Sequence, residues 1–349
     1  MQPKMYFIKN FVKLRPLIYN LIITGIIIFV LSNSITSYLY LKNMDKDSTF
    51  HAEQNQIYRE FENIKEDKNY KVIFLGSSMT REDIDCIVIE NDNDSLSCYN
   101  LGSSSDIPYL RLLEISKIIE AKPNLVVIEI TPNTFANISN LDYLNPIIEL
   151  RIGLASTLQN EEEQVYWREN ILGDHEKYLV DNTIEKTLFW NKYRQDILDE
   201  GIKNSLSSES KNIDMKSPAR NYSVKNDNEL LQLMNSFYDE KGGFFSDDID
   251  QSLNLFSMEI MVNLLILNGI DVVFQSQPIN PLAIDNAPKN FWDNYNFSIN
   301  KLEKTYNITH YNHFYSENYN FADLTHLDYE GRQNYSSNFT KFLNETGHL

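Results

Sequence analysis

Short apolar runs recur along the chain and predict five buried strands. The runs are Lys71 to Leu75, Ser97 to Leu101, Leu125 to Ile130, Asp271 to Phe274 and, more weakly, Ile308 to Tyr311. Runs of this length are too short for most helices, and they end at glycine or at polar residues. Continuous apolar character, without alternation, is typical of parallel strands that are covered on both faces.

Helical patterns lie between several of these runs. Pro108 to Ala121 precedes the third predicted strand, and Gln251 to Leu267 precedes the fourth. Asn268 and Gly269 follow the second helical pattern and are typical of a helix C-cap. The alternation of strand and helix predicts an α/β fold, a three-layer α/β/α sandwich around a five-stranded parallel sheet.

The pattern changes between about residues 141 and 250. Charged, helix-favouring segments surround a polar stretch from Ser205 to Asp227, and no buried strand is predicted. Because this region is too long for an ordinary connection, it predicts a mainly helical insertion after the third strand. The insertion is either a cap over the active site or a separate surface subdomain.

An apolar segment from Leu17 to Leu41 differs from everything that follows it. As a helix its 25 residues would span about 37 Å, enough for a hydrocarbon core of about 30 Å. We interpret it as an uncleaved transmembrane signal anchor rather than a removed signal peptide, because no small-residue cleavage site follows it. A buried N-terminal helix is disfavoured because the segment lacks a polar face. Four basic residues precede it, which predicts a cytoplasmic segment 1–16 and an exterior remainder: a stalk over 42–69 and a domain over 70–349.

The charge balance divides the chain at the same place. Residues 1–44 contain five basic residues and no acidic one, whereas the rest contains 26 basic and 49 acidic residues. A net charge of −23 in the exterior part excludes nucleic acid and anionic membrane surfaces as partners of that part.

Cysteine and metal-ligand content add two further points. Cys86 and Cys98 either close one small disulfide loop or remain two buried thiols. The chain has no metal-ligand spacing, so we expect no metal or cofactor.

A serine follows the first predicted strand, in the stretch Gly76-Ser77-Ser78-Met79-Thr80. Functional residues of a parallel sheet gather at the carboxyl ends of its strands. Free amides at the start of the next helix could stabilise an oxyanion there. Taken alone, the stretch is also an ordinary turn with an N-cap.

A second polar group lies near the C-terminus, where Asp323 and His326 are three residues apart. A serine hydroxyl needs a histidine to accept its proton, and that histidine works best when a carboxylate orients it. Asp328 is the rival carboxylate, but it precedes a helical pattern and is better interpreted as an N-cap. A lone histidine is more often a satisfied structural one, so the combination with the serine decides the interpretation.

These two stretches resemble the first and last blocks of the SGNH, or GDSL-type, hydrolases. That family has Gly-Asp-Ser-x-Ser/Thr after its first strand and Asp-x-x-His near its C-terminus, on a flavodoxin-like sheet. The resemblance implies Ser78 as nucleophile, His326 as base and Asp323 as the orienting acid. Ser77 stands where the family usually has aspartate.

The family's second and third blocks are matched less closely. Tyr99-Asn100-Leu101-Gly102 is similar to the second block, which implies the Gly102 amide as an oxyanion donor beside the Ser78 amide. The third block, usually Gly-x-Asn-Asp, corresponds here to Thr131-Pro132-Asn133-Thr134. Asn133 keeps its place and is implied as a further oxyanion donor, whereas the glycine and the aspartate are replaced.

The resemblance and the predicted anchor together suggest a function. We expect a membrane-anchored exterior esterase or acyltransferase that removes or transfers acyl groups, above all acetyl groups, on cell-envelope glycans through an acyl-enzyme. Hydrolysis and transfer use the same triad and differ in water exclusion. The alternative is an inactive envelope protein that keeps the fold to bind or assemble protein partners.

Overall fold

The computed structural model describes residues 19–28, 31, 50–91, 93–103, 106–135, 215–216, 223–237, 253–287, 289–314 and 318–349. At its centre is a five-stranded sheet in the order β2-β1-β3-β4-β5, and every neighbouring pair is parallel. The strands are β1 Tyr70–Leu75, β2 Leu96–Asn100, β3 Leu125–Glu129, β4 Asp271–Ser276 and β5 Thr309–Asn312. The five predicted strands and their parallel arrangement are therefore confirmed.

This strand order places one crevice of the sheet next to β1. The chain runs from β1 to β2 on one side and then crosses to β3 on the other side. In doubly wound sheets of this order, ligands bind outside the carboxyl ends of the strands at that reversal. The residues that follow β1 and β3 therefore lie at that reversal.

Helices surround the sheet in the described part of the chain. They are α1 Phe50–Glu66, α2 Ser78–Asp83, α3 Cys86–Glu90, α4 Pro108–Leu113, α5 Ile115–Ala121, α6 Asp227–Phe237, α7 Leu253–Leu267, α8 Pro281–Asp285, α9 Lys289–Tyr306 and α10 Tyr329–Glu345. A single 3₁₀ turn, Pro132–Phe135, follows β3.

Successive strand side chains point to opposite faces and form two separate cores. Ile73 and Leu75 belong to one core with residues of α1, α4, α5, α7 and α9. Val72 and Phe74 belong to the other, with residues of α3 and α10. This division is the three-layer α/β/α sandwich that the sequence predicts.

Two local predictions differ from the structure. The helical pattern from Pro108 to Ala121 forms two helices that meet at the buried Glu114, whose carboxylate pairs with Arg111. Helix α1 lies within the predicted stalk, yet Ile57 and Phe61 are buried in the core. The folded domain therefore begins before residue 70, because one face of α1 carries apolar side chains at helical spacing.

Cys86 on α3 and Cys98 on β2 form a disulfide bond, with their Cα atoms 5.3 Å apart. Of the two alternatives that the sequence leaves open, the structure has the disulfide. Glu90, at the end of α3, also accepts a hydrogen bond from the Cys98 amide at 2.8 Å.

The chain divides into two compact units, and the sheet belongs to the unit formed by Thr49–Val180 and Asn212–Leu349. The other unit comprises Met1–Ser48 and Asp181–Lys211. In it, residues 19–28 and 31 are helical and their side chains are exposed. Over the described ranges, no helix has both the length and the apolar character needed to cross a bilayer. Most of the predicted anchor and of the predicted insertion lies outside the described residues.

Candidate active site

The turn between β1 and α2 presents Ser78 at the carboxyl edge of the sheet. Ser78 is the first residue of α2, and the Ser77 hydroxyl caps the helix by accepting a hydrogen bond from the Met79 amide at 3.2 Å. A side chain at Gly76 would approach Glu129 Cβ to 2.5 Å, so only glycine fits there. The result is a tight turn that leaves the Ser78 side chain partly exposed.

The loop before α10 carries Asp323 and His326. An isolated bridge between Phe321 and Leu327 closes the base of the loop. Within it, Asp323 Oδ1 accepts hydrogen bonds from the amides of Thr325 and His326, each at 2.9 Å. These bonds fix the Asp323 carboxylate next to the His326 ring.

The structure brings Ser78, His326 and Asp323 together, although 248 residues separate the serine from the histidine. His326 Nε2 lies 3.1 Å from Ser78 Oγ, and His326 Nδ1 lies 2.9 Å from Asp323 Oδ2. We call these three residues the Ser78 triad. Asp328 instead accepts a hydrogen bond from the Gly331 amide at 2.8 Å and caps α10, which agrees with its interpretation as an N-cap.

The protonation of this group follows from its surroundings. Burial acts to lower the pKa of His326, but the hydrogen bond to Asp323 and the nearby carboxylates outweigh it, so the pKa lies above the ordinary 6.5. Burial acts to raise the pKa of Asp323, but hydrogen bonds from His326 and from two amides bring it below 3.8. At neutral pH the acid is therefore ionised and stabilises the imidazolium that proton transfer from a serine would create.

The three implied oxyanion donors differ in their location and in whether they already have a hydrogen-bond partner. The Ser78 amide lies in the first turn of α2, where amides have no acceptor within the helix. The buried Gly102 amide donates to Asn100 Oδ1 at 3.1 Å, so a substrate oxygen would have to displace that side chain. Asn133 lies in the 3₁₀ turn Pro132–Phe135, and its side chain is outside the described atoms.

Gly102 has a packing reason to be glycine. A Cβ at this position would lie 2.5 Å from the Arg81 amide nitrogen. Close approach of the loop after β2 to the backbone of α2 thus explains the glycine without any role in catalysis.

Two buried carboxylates lie beside the triad that the sequence motifs did not predict. Glu129, the last residue of β3, bonds to Ser77 and Thr80. Asp83, the last residue of α2, accepts a hydrogen bond from the Leu327 amide at 2.9 Å, and burial raises its pKa to about 8. The only signal for Glu129 in the sequence is an acidic residue inside an otherwise apolar run. In the described ranges no group of His, Cys, Asp and Glu side chains is arranged to hold a metal ion.

No protein-family model and no curated protein matches the chain. Among solved structures, the chain is similar to a protein from Bacteroides fragilis that is inferred to be an acylhydrolase, with 14% identity and a TM-score of 0.36 over 82% of this chain and 95% of that one. It is also similar to a GDSL-like lipase from Bacteroides thetaiotaomicron, with 13% identity and a TM-score of 0.37 over 83% and 98%. Likeness at these levels assigns neither a family nor a function to the chain.

Proposed function

We propose that the protein is a serine esterase or acyltransferase of the SGNH type. The observation that carries this proposal is the unbroken hydrogen-bonded order of Ser78, His326 and Asp323 at the carboxyl edge of a parallel sheet. A partly exposed serine, a histidine and an ionised carboxylate in this order have the arrangement that acyl transfer requires.

In the proposed first half-reaction, Ser78 Oγ attacks the carbonyl carbon of an ester while its proton passes to His326 Nε2. The carbonyl oxygen becomes an oxyanion that the Ser78 amide stabilises. As the tetrahedral intermediate collapses, the bond to the leaving oxygen breaks and His326 returns the proton to the alcohol. Asp323 stays ionised and holds the ring in place throughout.

In the second half-reaction, His326 takes a proton from water or from a sugar hydroxyl, and the resulting oxygen attacks the acyl-Ser78 carbonyl. The intermediate then releases Ser78 Oγ, which regains its proton from His326. Water gives a carboxylic acid and hydroxyl acceptors give a new ester. Which acceptor reacts depends on how well the bound acyl-enzyme excludes water.

A hydrolysis assay of the full-length protein in detergent tests this proposal. Wild type should release nitrophenol from 4-nitrophenyl acetate, and Ser78→Ala should reduce kcat/KM by about 10³-fold or more. Equal rates for the two proteins would exclude Ser78 as the nucleophile. Adding chitopentaose as an acceptor separates the two activities, because a transferase forms an acetylated oligosaccharide that mass spectrometry detects.

We further propose that the domain lies outside the membrane and meets acylated envelope glycans. Two observations support this location: the exposed apolar side chains of helical residues 19–28, and the disulfide between Cys86 and Cys98. Disulfides are typical of oxidising compartments. An alkaline phosphatase domain fused after residue 45 should be active in bacterial cells. An inactive but intact fusion would place this part of the chain in the cytoplasm.

An inactive binding or assembly module is the second candidate. The engaged Gly102 amide favours it, since one implied oxyanion donor already has a partner. Absence of any covalent adduct on Ser78 with a fluorophosphonate probe would support this candidate over the enzyme.

A further inference from the structure

A single buried carboxylate holds the turn that carries Ser78. Glu129 ends β3 and is 4% exposed, and its side chain reaches across the sheet edge to the turn after β1. Glu129 Oε2 accepts hydrogen bonds from the Ser77 amide at 2.8 Å, the Thr80 amide at 3.1 Å and the Thr80 hydroxyl at 2.7 Å. Glu129 Oε1 accepts one from the Ser77 hydroxyl at 2.7 Å.

The directions of these bonds follow from the other partners of the two hydroxyls. Thr80 Oγ1 is approached by the amide nitrogens of Gln275 at 3.3 Å and Gln277 at 3.0 Å, which can only donate. Ser77 Oγ accepts a bond from the Met79 amide. Both lone pairs of Thr80 Oγ1 are thus occupied, so its proton is directed to Glu129. The Ser77 hydroxyl also donates to Glu129, so four donors converge on one carboxylate.

The same network leaves one amide of the turn available. Among residues 77–80, the amides of Ser77 and Thr80 donate to Glu129, and the Met79 amide donates to the Ser77 hydroxyl. Within the described part of the chain, the Ser78 amide is the remaining one. The residues on both sides of Ser78 are thus fixed by hydrogen bonds. The Ser78 hydroxyl itself lies against His326 Nε2, at 3.1 Å.

We propose that Glu129 is a positioning residue for the proposed nucleophile: by accepting four hydrogen bonds from Ser77 and Thr80, it aims Ser78 Oγ at His326 and reserves the Ser78 amide for the oxyanion. This inference rests on the proposed function of Ser78. Within the described residues, the hydrogen bonds of Glu129 go to Ser77 and Thr80. Glu129 acts through the geometry of the turn, and small displacements of a nucleophile reduce rates strongly.

Glu129→Gln is the direct test, because it keeps the size of the side chain and removes its purely accepting character. The new amide group must face at least one of the four donors, so the turn has to shift. In the full-length protein we expect kcat for 4-nitrophenyl acetate to fall about 10- to 100-fold while KM changes less than about 3-fold. The rate of fluorophosphonate labelling should fall by the same factor as kcat.

Glu90→Gln is the matched control. Glu90 also accepts a hydrogen bond from a backbone amide, that of Cys98, and its carboxylate pairs with Lys216. We expect this variant to keep kcat within about 2-fold, because its partners lie outside the nucleophile turn.

A rescue experiment separates positioning from general stability. Ser77 Oγ lies 2.7 Å from Glu129 Oε1, so Ser77→Asp brings a carboxylate to the same turn, where aspartate is also a good N-cap. Combined with Glu129→Gln, it should raise kcat at least about 5-fold above Glu129→Gln alone. Ser77→Asp alone should lower kcat, because two carboxylates then meet in a buried site.

Three results decide the proposal. Wild-type kcat in Glu129→Gln would overturn it, and so would failure of the double variant to recover kcat when both proteins are folded. If Glu129→Gln does not fold, Thr80→Val removes one of the four donors and should lower kcat about 3- to 10-fold; an unchanged kcat would overturn the proposal. A wild-type protein that neither hydrolyses the ester nor labels at Ser78 would instead refute the proposed function itself.

Discussion

The Ser78 triad has a counterpart elsewhere in the same molecule. A second serine, histidine and acid are connected by hydrogen bonds in the same order: Ser276 at the end of β4, His310 on β5 and Glu303 on α9. We call these three residues the Ser276 cluster. His310 Nε2 lies 2.8 Å from Ser276 Oγ, and His310 Nδ1 lies 2.8 Å from Glu303 Oε1. Judged by these distances alone, the second group is closer to an ideal triad than the first.

The surroundings of the two serines differ. Ser276 is fully buried, and its Oγ lies 2.7 Å from the Ile130 carbonyl oxygen, which can only accept a hydrogen bond. The Ser276 proton is therefore directed to Ile130, and Ser276 Oγ has no second proton to donate to His310 Nε2. In this arrangement His310 cannot take a proton from Ser276 as a catalytic base would. The Tyr295 hydroxyl, 2.7 Å away, completes the enclosure.

The comparison shows that a nucleophile needs more than hydrogen-bonded order. Ser78 is partly exposed, and the donors of its turn are directed to Glu129 rather than to its hydroxyl. The Ser78 triad differs in two ways: its serine is accessible from solvent, and the serine proton is free to move to the histidine. The Ser276 cluster instead connects β4 to β5 and α9 by hydrogen bonds. Five predictions test the two groups, from the largest expected effect to the smallest.

The largest expected effect comes from removing each hydroxyl in turn. Ser78→Ala should abolish nearly all ester hydrolysis, about 10³-fold or more in kcat/KM. Ser276→Ala should keep kcat/KM within about 3-fold and lower the free energy of unfolding by about 1–3 kcal/mol, because it leaves buried partners unsatisfied. Ester hydrolysis and urea unfolding measure the two quantities. A large loss of activity in a folded Ser276→Ala protein would contradict the inference that only Ser78 takes part in catalysis.

The two acids should differ almost as strongly. Asp323→Asn keeps the size of the side chain but no longer stabilises the imidazolium, so kcat should fall about 10²- to 10⁴-fold. Glu303→Gln should leave kcat within about 3-fold, since the hydrogen bond from the other ring nitrogen of its partner His310 involves the buried Ser276 and not the Ser78 triad. Steady-state kinetics of both variants gives the comparison, and similar losses would contradict it.

The dependence of kcat/KM on pH should reveal the pKa of His326. Because its folded pKa lies above 6.5 and the base must be neutral, kcat/KM should fall about tenfold per pH unit on the acid side of that pKa. Asp323→Asn removes the leading cause of the upward shift, so the acid limb of its residual activity should move to lower pH. A limb that stays at the same pH in this variant would mean that another group titrates.

Stability should depend on pH through the same pair. The raised folded pKa of His326 contributes stability that is fully present below its unfolded value of 6.5 and is lost as the pH rises through the folded value. The lowered pKa of Asp323 contributes stability that is present above 3.8 and is lost as the pH falls through the folded value. Urea unfolding across pH 3–8 should show the low-pH change in wild type only. The high-pH change should be smaller in Asp323→Asn but still present, because Asp83 and Glu82 also raise the pKa of His326.

The smallest effect is expected from Tyr295→Phe. It removes one hydrogen bond to Ser276 Oγ, which should lower the free energy of unfolding by about 0.5–1.5 kcal/mol and leave kcat/KM unchanged. Thermal unfolding and ester hydrolysis of the same preparation measure the two effects. A fall in kcat/KM without loss of stability would connect the Ser276 cluster to the chemistry.

The sequence predicts much of this fold because strand positions follow from burial alone. Apolar runs identify all five strands, since most side chains of a strand that is covered on both faces are apolar. The burial of helix α1 was missed although Ile57, Phe61 and Ile64 follow helical spacing, because the surrounding charge suggested a solvated stalk. The break at Glu114 was missed because the stretch after Pro108 contains neither glycine nor proline, and the Arg111–Glu114 pair at i,i+3 is compatible with a continuous helix.

The candidate site is predictable only where a short motif carries it. Ser78, Asp323 and His326 lie in two compact stretches, and the structure places them together as those stretches suggest. The Ser276 cluster has no such signal, because its members come from three separate elements. The Gly102 amide is engaged by the Asn100 side chain, and a side-chain orientation of this kind cannot be deduced from sequence.

Fluorophosphonate labelling of the full-length protein, followed by peptide mapping, shows directly which of the two serines is nucleophilic. We expect one serine adduct, on the peptide that contains Ser78, and none in Ser78→Ala. An adduct on Ser276, or none on Ser78 in the folded wild-type protein, would contradict it.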